Sequence, residues 1–555
     1  MWRSSLVVGL GFVALAPAAS GQAPPGAQVV QYEVLARGPV HEAFASVVDG
    51  KMAATPVVPK PPPPPLAELP PDVKPAGDDV EWVGGYWYWS DERNDFLWVS
   101  GCWREAPPDR DWLPGQWVRV ADGYHWVSGV WLPEGTTRLT LLPQPPAPVE
   151  EDPGQPPAAN QVFVPGTWVW QGDRYAWRPG RWVEEPAEWV WQPAQYVWTP
   201  NGYLFVDGYW DHPLTERGFL YAPIDFTAAV NRQVVYVPQY LIRPAFLEGA
   251  LFVRAATKHY YFGDFFEPRY QTAGFVPWFD YRTSRVAVDP LFAHYRAYQR
   301  QADWERSVRA LYAARYAGQA ARPPRTWAQQ QQVVRAGGHA EAARVAPLVN
   351  APSTTINQTV NNVTNNTVQQ TVQQTIQNIQ NVTNLKVERV AADRQARYKE
   401  AADRRRQAAQ AYQETQTQRL AQQGKAATPP KAPVGLTVPA LPRATRPAPQ
   451  PTPAPRPTDP TPPPVTPPKP PAGQPPAAPP PPKTTPVQPP AGRPTPPVKP
   501  APTPPPPATA PAAPARKAPP PPPKFPAEEP PGKGKGKGKA DPPGKGKGDD
   551  KKKDG

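Results

Sequence analysis

The stretch that decides the fold is EWVGGYWYWSDERNDFLWVSGCWRE, residues 81–105. It contains the pattern Trp-x-x-Gly-x-Trp twice, at residues 82–87 and 98–103. Related copies follow, some with Phe or Tyr at an aromatic position, so that the eight copies begin at residues 82, 98, 112, 126, 163, 177, 191 and 205. Within each group of four the spacing is 14 residues, apart from one step of 16, and so regular an internal repeat sets the architecture.

Two kinds of turn signal alternate in this region. Pro-Gly pairs inside the motifs, at 114–115 and 165–166, favour type II turns, because Pro fixes the first central φ and Gly accepts a positive second one. Gly-containing pairs between the motifs favour β-hairpins, and they lie at 122–123, 172–173 and 201–202. Each 14-residue unit is therefore expected to supply two short strands and two turns.

The motif itself allows two geometries. In the first, its two aromatic residues flank the Pro-Gly turn and face each other across the ribbon. In the second, the motif stays within one strand that has a β-bulge at the glycine. The prolines favour the first geometry, because central strands exclude proline.

The N-terminal twenty residues are typical of a secretory signal, with a short basic start followed by an apolar run and small residues. The apolar run is too short to span a bilayer comfortably, and no other stretch is long enough, so we expect no transmembrane helix in the mature chain. The protein is therefore predicted to be exported, and to be periplasmic, envelope-associated or secreted. Its one cysteine, Cys102, cannot form an internal disulfide.

The positive charge of the chain lies in its C-terminal tail. The 555 residues include 90 prolines and carry a net charge of +13, and residues 429–555 alone hold 20 Lys and Arg against 7 Asp and Glu. Such a segment cannot bury enough apolar surface to become ordered, so a disordered, Pro-rich basic tail is expected. Its lysines would bind anionic polymers by charge alone. The candidate residues are Lys533, Lys535, Lys537, Lys539, Lys545, Lys547, Lys551, Lys552 and Lys553.

Helical signals follow the repeats. Asp289 is a good N-cap, Pro290 suits the first helical position, and Gly318 can close the helix. Apolar residues between Ile356 and Leu385 recur at helical spacing among Asn, Gln and Thr, and strong helix formers continue to about residue 423. Residues 356–423 are therefore predicted to form a long solvent-exposed helix or a short coiled coil that drives self-association.

These signals predict an α+β fold with long disordered regions. A Trp-rich β-hairpin repeat unit would be followed by a helical segment, a long polar helix and the disordered tail. The predicted order is a signal peptide, a Pro-rich spacer, repeats 1–4, a linker, repeats 5–8, an aromatic-rich and helical region, the helix or coiled coil, and the tail. Their bounds are 1–20, 21–79, 80–142, 143–158, 159–212, 213–345, 356–423 and 424–555.

The sequence offers little chemistry for catalysis. No two of its six histidines have metal-ligand spacing, and it contains no Gly-rich phosphate loop and no nucleophile elbow. Asp264 and Glu267 could imitate the acid/base pair of a sugar-cleaving enzyme, but a capped turn before Pro268 is the simpler interpretation. We therefore expect no enzyme activity, no cofactor and no metal.

The repeat resembles the motif that names the bacterial WxxGxW, or YxWGxW, repeat family, over about residues 81–212. The departures from the motif are Phe163, Phe205 and the degenerate copy 191–196, which has Ala194 in place of the glycine. The family consists of secreted or envelope proteins, so the resemblance implies export, and it implies no catalytic residues.

Two classes of function fit these observations. The first is a non-catalytic structural or interaction protein of the cell envelope, tethered by its basic tail to anionic envelope polymers. The second is a module that binds peptidoglycan or another cell-wall polysaccharide, and nucleic acid is not an expected partner. Mutual packing of the rings into a core competes with the second class. The candidate platform consists of Trp87, Trp103, Trp117, Trp131, Trp168, Trp182 and Trp210.

Overall fold

The computed structural model describes most of the chain before residue 445. The described residues are 32–48, 50, 52–158, 160–226, 235–284, 287–298, 303–351, 365–423, 429–444 and 519–520. The predicted signal segment, the nine candidate tail lysines and the start of the predicted 356–423 helix lie outside this set. The described part is a mixed α+β fold that is rich in antiparallel hairpins.

Neighbouring motifs pair with each other and form four long antiparallel hairpins. We call these hairpins repeat pairs and number them in chain order, with residues 80–105, 110–133, 161–184 and 190–211. Each has an outer two-stranded ladder at its open end and an inner ladder at its tip. The strands are Val80–Val83, Tyr86–Ser90, Asp95–Val99, Cys102–Glu105, Arg110–Leu113, Gln116–Val120, Gly123–Val127, Val130–Pro133, Gln161–Val164, Thr167–Gln171, Arg174–Arg178, Arg181–Glu184, Val190–Gln192, Gln195–Thr199, Gly202–Val206 and Tyr209–Asp211.

Each motif lies along a single interrupted strand. In the first repeat pair Val83 is opposite Cys102 and Tyr86 is opposite Val99, so the register is the same on both sides of the two-residue gap. Each ring consequently faces a ring of the other motif: Trp82 is opposite Trp103, and Trp87 is opposite Trp98. The first geometry predicted from the sequence is therefore wrong. The second is closer, although no residue is inserted and the gap is not a bulge.

The turns between motifs are the predicted hairpin turns, and the Pro-Gly pairs are not type II turns. Gly172 has a φ of 61° in the turn of the third pair, whereas Gly115 and Gly166 are absent from the residues with positive φ. Proline is tolerated in the gap because a residue there makes no ladder hydrogen bond with the opposite strand.

The remaining strands extend the hairpins or form small sheets around them. Ile224–Phe226 and Tyr32–Val34 extend the inner ladder of the first pair, while Arg138–Leu142 and Val434–Thr437 extend that of the fourth. The others are Gly38–Pro39, Ala67–Glu68, Val73–Pro75, Gly218–Leu220, Val235–Tyr236, Tyr240–Ile242, Leu251–Arg254, His259–Phe262, Val276–Pro277, Leu348–Asn350 and Val387–Arg389.

The helices follow the repeat pairs in sequence. Asp289 caps Pro290–Tyr298 by accepting a hydrogen bond from the Phe292 amide at 3.1 Å. Gly318, with a φ of 71°, follows a second helix, Trp304–Tyr316, so the two signals belong to two helices and not to the one predicted. The α-helices are Pro244–Ala250, Pro268–Thr272, Pro290–Tyr298, Trp304–Tyr316, Trp327–Val345, Asn365–Thr383 and Ala392–Gln423. Short 3₁₀ turns lie at Leu214–Glu216, Ala255–Thr257 and Trp278–Asp280.

The sequence predicted one solvent-exposed helix or coiled coil over 356–423, whereas the described part of it contains two helices, Asn365–Thr383 and Ala392–Gln423, separated by the strand Val387–Arg389. The long helix Ala392–Gln423 lies on the first two repeat pairs. The Tyr398 ring meets the edge of Trp103 with centroids 4.8 Å apart, and Arg405 donates to the Trp82 carbonyl at 3.0 Å. Ala408, Ala409 and Tyr412 are buried along the same face. This helix therefore covers its apolar stripe within its own chain.

The largest cluster of buried residues joins the N-terminal segment, the first two repeat pairs and the aromatic region after the repeats. Phe44, Trp98 and Phe262 each expose 1% or less of their surface. Residues 32–79 thus contribute strands and core side chains, which differs from the spacer predicted there. The third and fourth repeat pairs share a smaller buried cluster of their own, which consists of Val162, Val164, Val183, Trp189, Trp191 and Trp210.

Candidate functional site

The gaps in the repeat pairs hold glutamate side chains from elsewhere in the chain. In the first pair, the carboxylate of Glu68 accepts hydrogen bonds from the Gly85 amide at 2.7 Å, the Gly101 amide at 3.0 Å and the Trp98 indole at 3.0 Å. The two glycines belong to opposite strands of the hairpin. One carboxylate therefore bridges the two strands where their own ladder is interrupted.

The third repeat pair repeats this arrangement. Glu151 accepts hydrogen bonds from the Gly166 amide at 3.0 Å, the Gly180 amide at 2.8 Å and the Trp177 indole at 3.1 Å. Glu151 lies in the predicted linker 143–158, which therefore packs along the third pair.

The second repeat pair receives Glu42. Its carboxylate accepts the Trp126 indole at 2.8 Å and the Gly129 amide at 3.0 Å. In all three pairs the indole belongs to the first tryptophan of the second motif. The arrangement is thus built three times, each time with a glutamate from a different segment of the chain.

These contacts explain the motif glycines. A Cβ atom on Gly115 would lie 2.4 Å from the Trp126 ring and 2.7 Å from a Glu42 oxygen. A Cβ on Gly101 would lie 2.5 Å from Trp82 and 2.8 Å from Glu68. The glycine is therefore required by the close approach of a ring and a carboxylate.

The carboxylates in the first two pairs are deeply buried. Burial raises the pKa of Glu42 to about 7, against the opposite effect of the Trp126 and Gly129 donors. Burial also raises the pKa of Glu68, again in opposition to its N–H donors. His259 lies 3.5 Å from Glu42, and burial lowers its pKa to about 4, so this imidazole is neutral at pH 7.

The fourth repeat pair lacks this arrangement. Ala194 and Phe205 replace a glycine and the donor tryptophan, and the Gly208 amide donates to Asp207 at 2.9 Å. The end of this pair is instead tied to the first pair by Asp211, which binds Arg217 at 2.9 Å and also Arg104. Burial acts to raise the pKa of Asp211, but the two guanidinium groups outweigh it and lower the pKa.

A cavity of about 190 Å³ lies where the gaps of the first two pairs approach each other. The long helix contributes one wall through Ala402, Arg406 and Ala409, and the polyproline run contributes Pro62 and Pro63. The rest of the lining is mainly aromatic and comes from the motifs: Tyr86, Trp87, Trp98, Trp112, Trp117 and Trp126.

One polar side chain of this cavity is unsatisfied. Gln116 is 8% exposed, and neither its amide nitrogen nor its amide oxygen has a hydrogen-bond partner within the described part of the chain. A buried amide without partners costs about 1–3 kcal/mol. Both amide atoms are themselves buried, so a ligand in the cavity would bond to them after the Gln116 side chain turns toward it. The cavity is the strongest candidate for a small-molecule site.

The predicted tryptophan platform is mostly interior. Five of its seven rings are buried, with exposures of 9% or less, and cannot present a face to a polymer: Trp87, Trp103, Trp117, Trp131 and Trp210. Trp168 and Trp182 are half-buried, and their indoles donate to the Ala147 and Pro153 carbonyls, both at 2.8 Å. The rings pack against each other and against the segments that carry the glutamates.

Other groups singled out in the sequence are also engaged. Asp264 binds Arg325 Nε at 2.8 Å, and Glu267 binds the same guanidinium. Cys102 is fully buried, and burial raises the pKa of its thiol. Among the described residues, no group of three His, Cys, Asp or Glu side chains is arranged to hold a metal ion.

Sequence reasoning missed the three glutamates, although a signal was available. Each is the last residue of a four-residue segment that begins with Pro, has Val or Leu second and any residue third. These segments are 39–42, 65–68 and 148–151. The same pattern occurs at 213–216, where Glu216 lies in a 3₁₀ turn, so the pattern alone is not sufficient.

None of the helices that the structure describes is both long enough and apolar enough to cross a membrane.

Comparison with known proteins gives one result. The two-copy WXXGXW repeat matches residues 78–104, 159–183 and 188–211, which are the first, third and fourth repeat pairs. No curated protein and no solved structure matches the chain. Each match spans one hairpin to within a residue of its end, so the structural unit of the repeat is the pair of motifs. The chain therefore carries WXXGXW repeats at residues 78–104, 159–183 and 188–211.

Proposed function

We propose that this protein is a non-catalytic, exported structural or interaction protein of the cell envelope. Its folded repeat unit serves as a rigid base, and its basic tail tethers it to anionic envelope polymers. The observation that supports this proposal most directly is the internal use of the motif rings and glutamates. Rings that a polysaccharide-binding face would expose are here mostly buried, and the indoles of Trp98, Trp126 and Trp177 donate to glutamates of the same chain.

The start of the tail is fixed to the repeat unit. Strand Val434–Thr437 pairs with Arg138–Leu142, and Arg443 binds Asp111 at 2.9 Å and Asp79 at 3.2 Å. The charged remainder of the tail therefore begins from a defined point on the folded body. Its lysines alternate with glycine over 533–539, a pattern that suits binding by charge more than a shaped pocket.

The test is to delete residues 445–555 from the full chain and to measure retention in the envelope fraction at increasing salt. We expect the wild type to be released as salt rises, because exposed charges are screened over about 8 Å at physiological ionic strength. The truncated chain should melt like the wild type and be retained poorly.

The matched control changes the nine candidate lysines to glutamine at constant tail length. We expect this variant to be released like the truncation. If it is retained like the wild type, length and not charge is responsible, and the tethering proposal fails.

A second candidate function is supported by the cavity. Its aromatic walls and the unsatisfied Gln116 amide suit a small ring that carries hydroxyl groups, such as one sugar unit of a cell-wall glycan. The volume of about 190 Å³ admits roughly one six-membered ring, since a cavity of about 150 Å³ accepts benzene.

Calorimetric titration with soluble muropeptides separates the two functions. Binding that Gln116→Leu abolishes, while Gln192→Leu in the fourth pair preserves it, would establish the glycan site. Absence of heat for the wild type would eliminate it.

A further inference from the structure

The glutamate contacts have the features of a recognition site and not of accidental packing. In three pairs the same donors converge on one carboxylate: an indole N–H and at least one glycine amide. Hydrogen bonds to an ionised acceptor are about twice as strong as those between neutral groups. Oriented backbone amides of this kind form anion-binding concavities.

A second contact is a hydrogen bond from a tryptophan indole to the backbone of the segment that bears the glutamate. The Trp87 indole donates to the Pro64 carbonyl at 2.8 Å, and the Trp168 indole donates to the Ala147 carbonyl at 2.8 Å. Both carbonyls lie four residues before the glutamate, at 68 and at 151. The two segments also share their sequence pattern, because 62–70 reads PPPPLAELP and 145–153 reads PPAPVEEDP.

Proline suits this backbone contact. A proline-rich segment is extended before it binds and leaves its carbonyls unpaired, so little entropy is lost when an aromatic donor engages it. The first and third repeat pairs therefore bind equivalent peptides in equivalent registers. The second pair binds the shorter segment 39–42 by its glutamate.

We propose that each complete WxxGxW pair is a binding site for a peptide of the form Pro-Val/Leu-x-Glu. The glutamate carboxylate occupies the gap in the ladder, and a preceding proline-rich stretch, where one is present, lies along the second aromatic residue of the first motif, Trp87 or Trp168. This chain carries three such ligands and fills three of its own sites. The fourth pair lacks the indole donor, and the Cβ of Ala194 stands where a motif glycine would be, so this pair takes no glutamate.

The third pair is the best place for a test, because Glu151 is only half-buried and its replacement leaves the main core intact. In the full chain, Glu151→Ala should accelerate hydrogen exchange of the Gly166 and Gly180 amides by about tenfold, the effect of losing roughly 1.4 kcal/mol of protection. Acetate should restore the protection by occupying the vacated gap. Acetamide, which has the same shape and no charge, should not.

Two further variants keep the test decisive. Glu150→Ala, at the neighbouring exposed position, should exchange like the wild type. Trp168→Phe removes the backbone contact only and should accelerate exchange at Gly166 by a smaller factor, about threefold. If Glu151→Ala unfolds the pair, Glu151→Gln, which retains one acceptor oxygen, is measured in its place.

Unchanged exchange in both Glu151 variants would overturn the proposal. Equal protection by acetate and acetamide would do so as well, because it would show a solvent effect and no carboxylate site. The proposal does not depend on the tail, so its outcome is independent of the envelope-retention experiment.

Discussion

At the scale of single residues, the sequence identifies the motif glycines as important but attributes their importance to a turn when it is due to packing. The sequence marks Gly115 as essential through its Pro-Gly turn signal. The structure requires it because the Trp126 ring and Glu42 leave no room for a side chain. The residues around Gly115 do not reveal this, since Glu42 is 73 residues away in the chain.

Gly115→Ala should therefore destabilise the fold by roughly 1–3 kcal/mol, the usual cost of an overpacked core. The control is Gly135→Asn, at a left-handed position with φ of 73° and no atom near a new Cβ. Asparagine tolerates this conformation, so the control should be nearly neutral. Chemical denaturation measures both, and a neutral Gly115→Ala would contradict the packing argument.

Glu42 should make the folded state less stable as the pH rises toward neutrality, which is the opposite of the usual effect of a carboxyl group. Its pKa is raised from 4.5 to about 7, so between these values the folded state binds a proton that the unfolded state has released. The contribution of Glu42 to the free energy of unfolding is complete below pH 4.5 and is lost as the pH rises through about 7. Burial lowers the pKa of His259 to about 4, so the contribution of His259 to the free energy of unfolding increases as the pH rises from about 4 to 6.5.

The two slopes can be separated with Glu42→Gln. Relative to this variant, the wild type should lose stability as the pH is raised from 5 to 8, measured by denaturation at each pH. Parallel stability curves for the two proteins would show that Glu42 does not titrate in this range.

At the scale of elements, the sequence predicts the hairpin turns correctly but predicts incorrectly which motif rings face each other across a hairpin. The turns near 123, 172 and 202 follow from Gly-containing pairs, which are local signals. Which rings face each other depends on whether the strand continues through the gap. That continuity is maintained by carboxylates from distant segments, so the motif alone does not determine it.

The long helix depends on the repeat pairs in the same way. Its Ala-, Arg- and Gln-rich composition indicates a helix, but its buried face becomes recognisable only when the surface beneath it is known. Self-association through residues 356–423 remains a prediction. Its main argument was an apolar stripe left unburied, and this argument is weaker because Ile379 and Tyr412 are buried within the chain.

Tyr412→Ala should lower the free energy of unfolding by roughly 3 kcal/mol, because it leaves a cavity between the helix and the second repeat pair. Glu414→Ala, exposed two residues further on, should change it by less than about 0.5 kcal/mol. Urea titrations of the two variants and the wild type test this difference. Similar stabilities for Tyr412→Ala and Glu414→Ala would mean that the helix does not pack as described.

At the scale of the whole molecule, the folded unit extends beyond the repeats in both directions. The repeat period, the α+β character and the helix at Asp289 follow from composition and spacing. The roles of residues 32–79 and of the long helix do not, because proline-rich and polar segments give no periodic signal of what they pack against. Their contacts are long-range and become visible only in the fold.

A fragment of residues 80–345 should therefore fail to fold, whereas residues 32–444 should unfold in one cooperative transition. The shorter fragment lacks Glu42, Glu68 and the long helix, and so leaves buried amide and indole donors without acceptors. Near-UV circular dichroism during heating distinguishes the outcomes. A cooperative transition of the 80–345 fragment would contradict the long-range account.

The incomplete fourth pair has a consequence for protein engineering. A designer who follows the repeat consensus would change Ala194 to Gly and Phe205 to Trp. Those changes would restore the motif glycine and the donor tryptophan, and would bury an indole N–H that no carboxylate reaches. Consensus substitution, which commonly stabilises proteins, should here weaken the protein unless a third change supplies the acid, so the three positions form one inseparable unit of design.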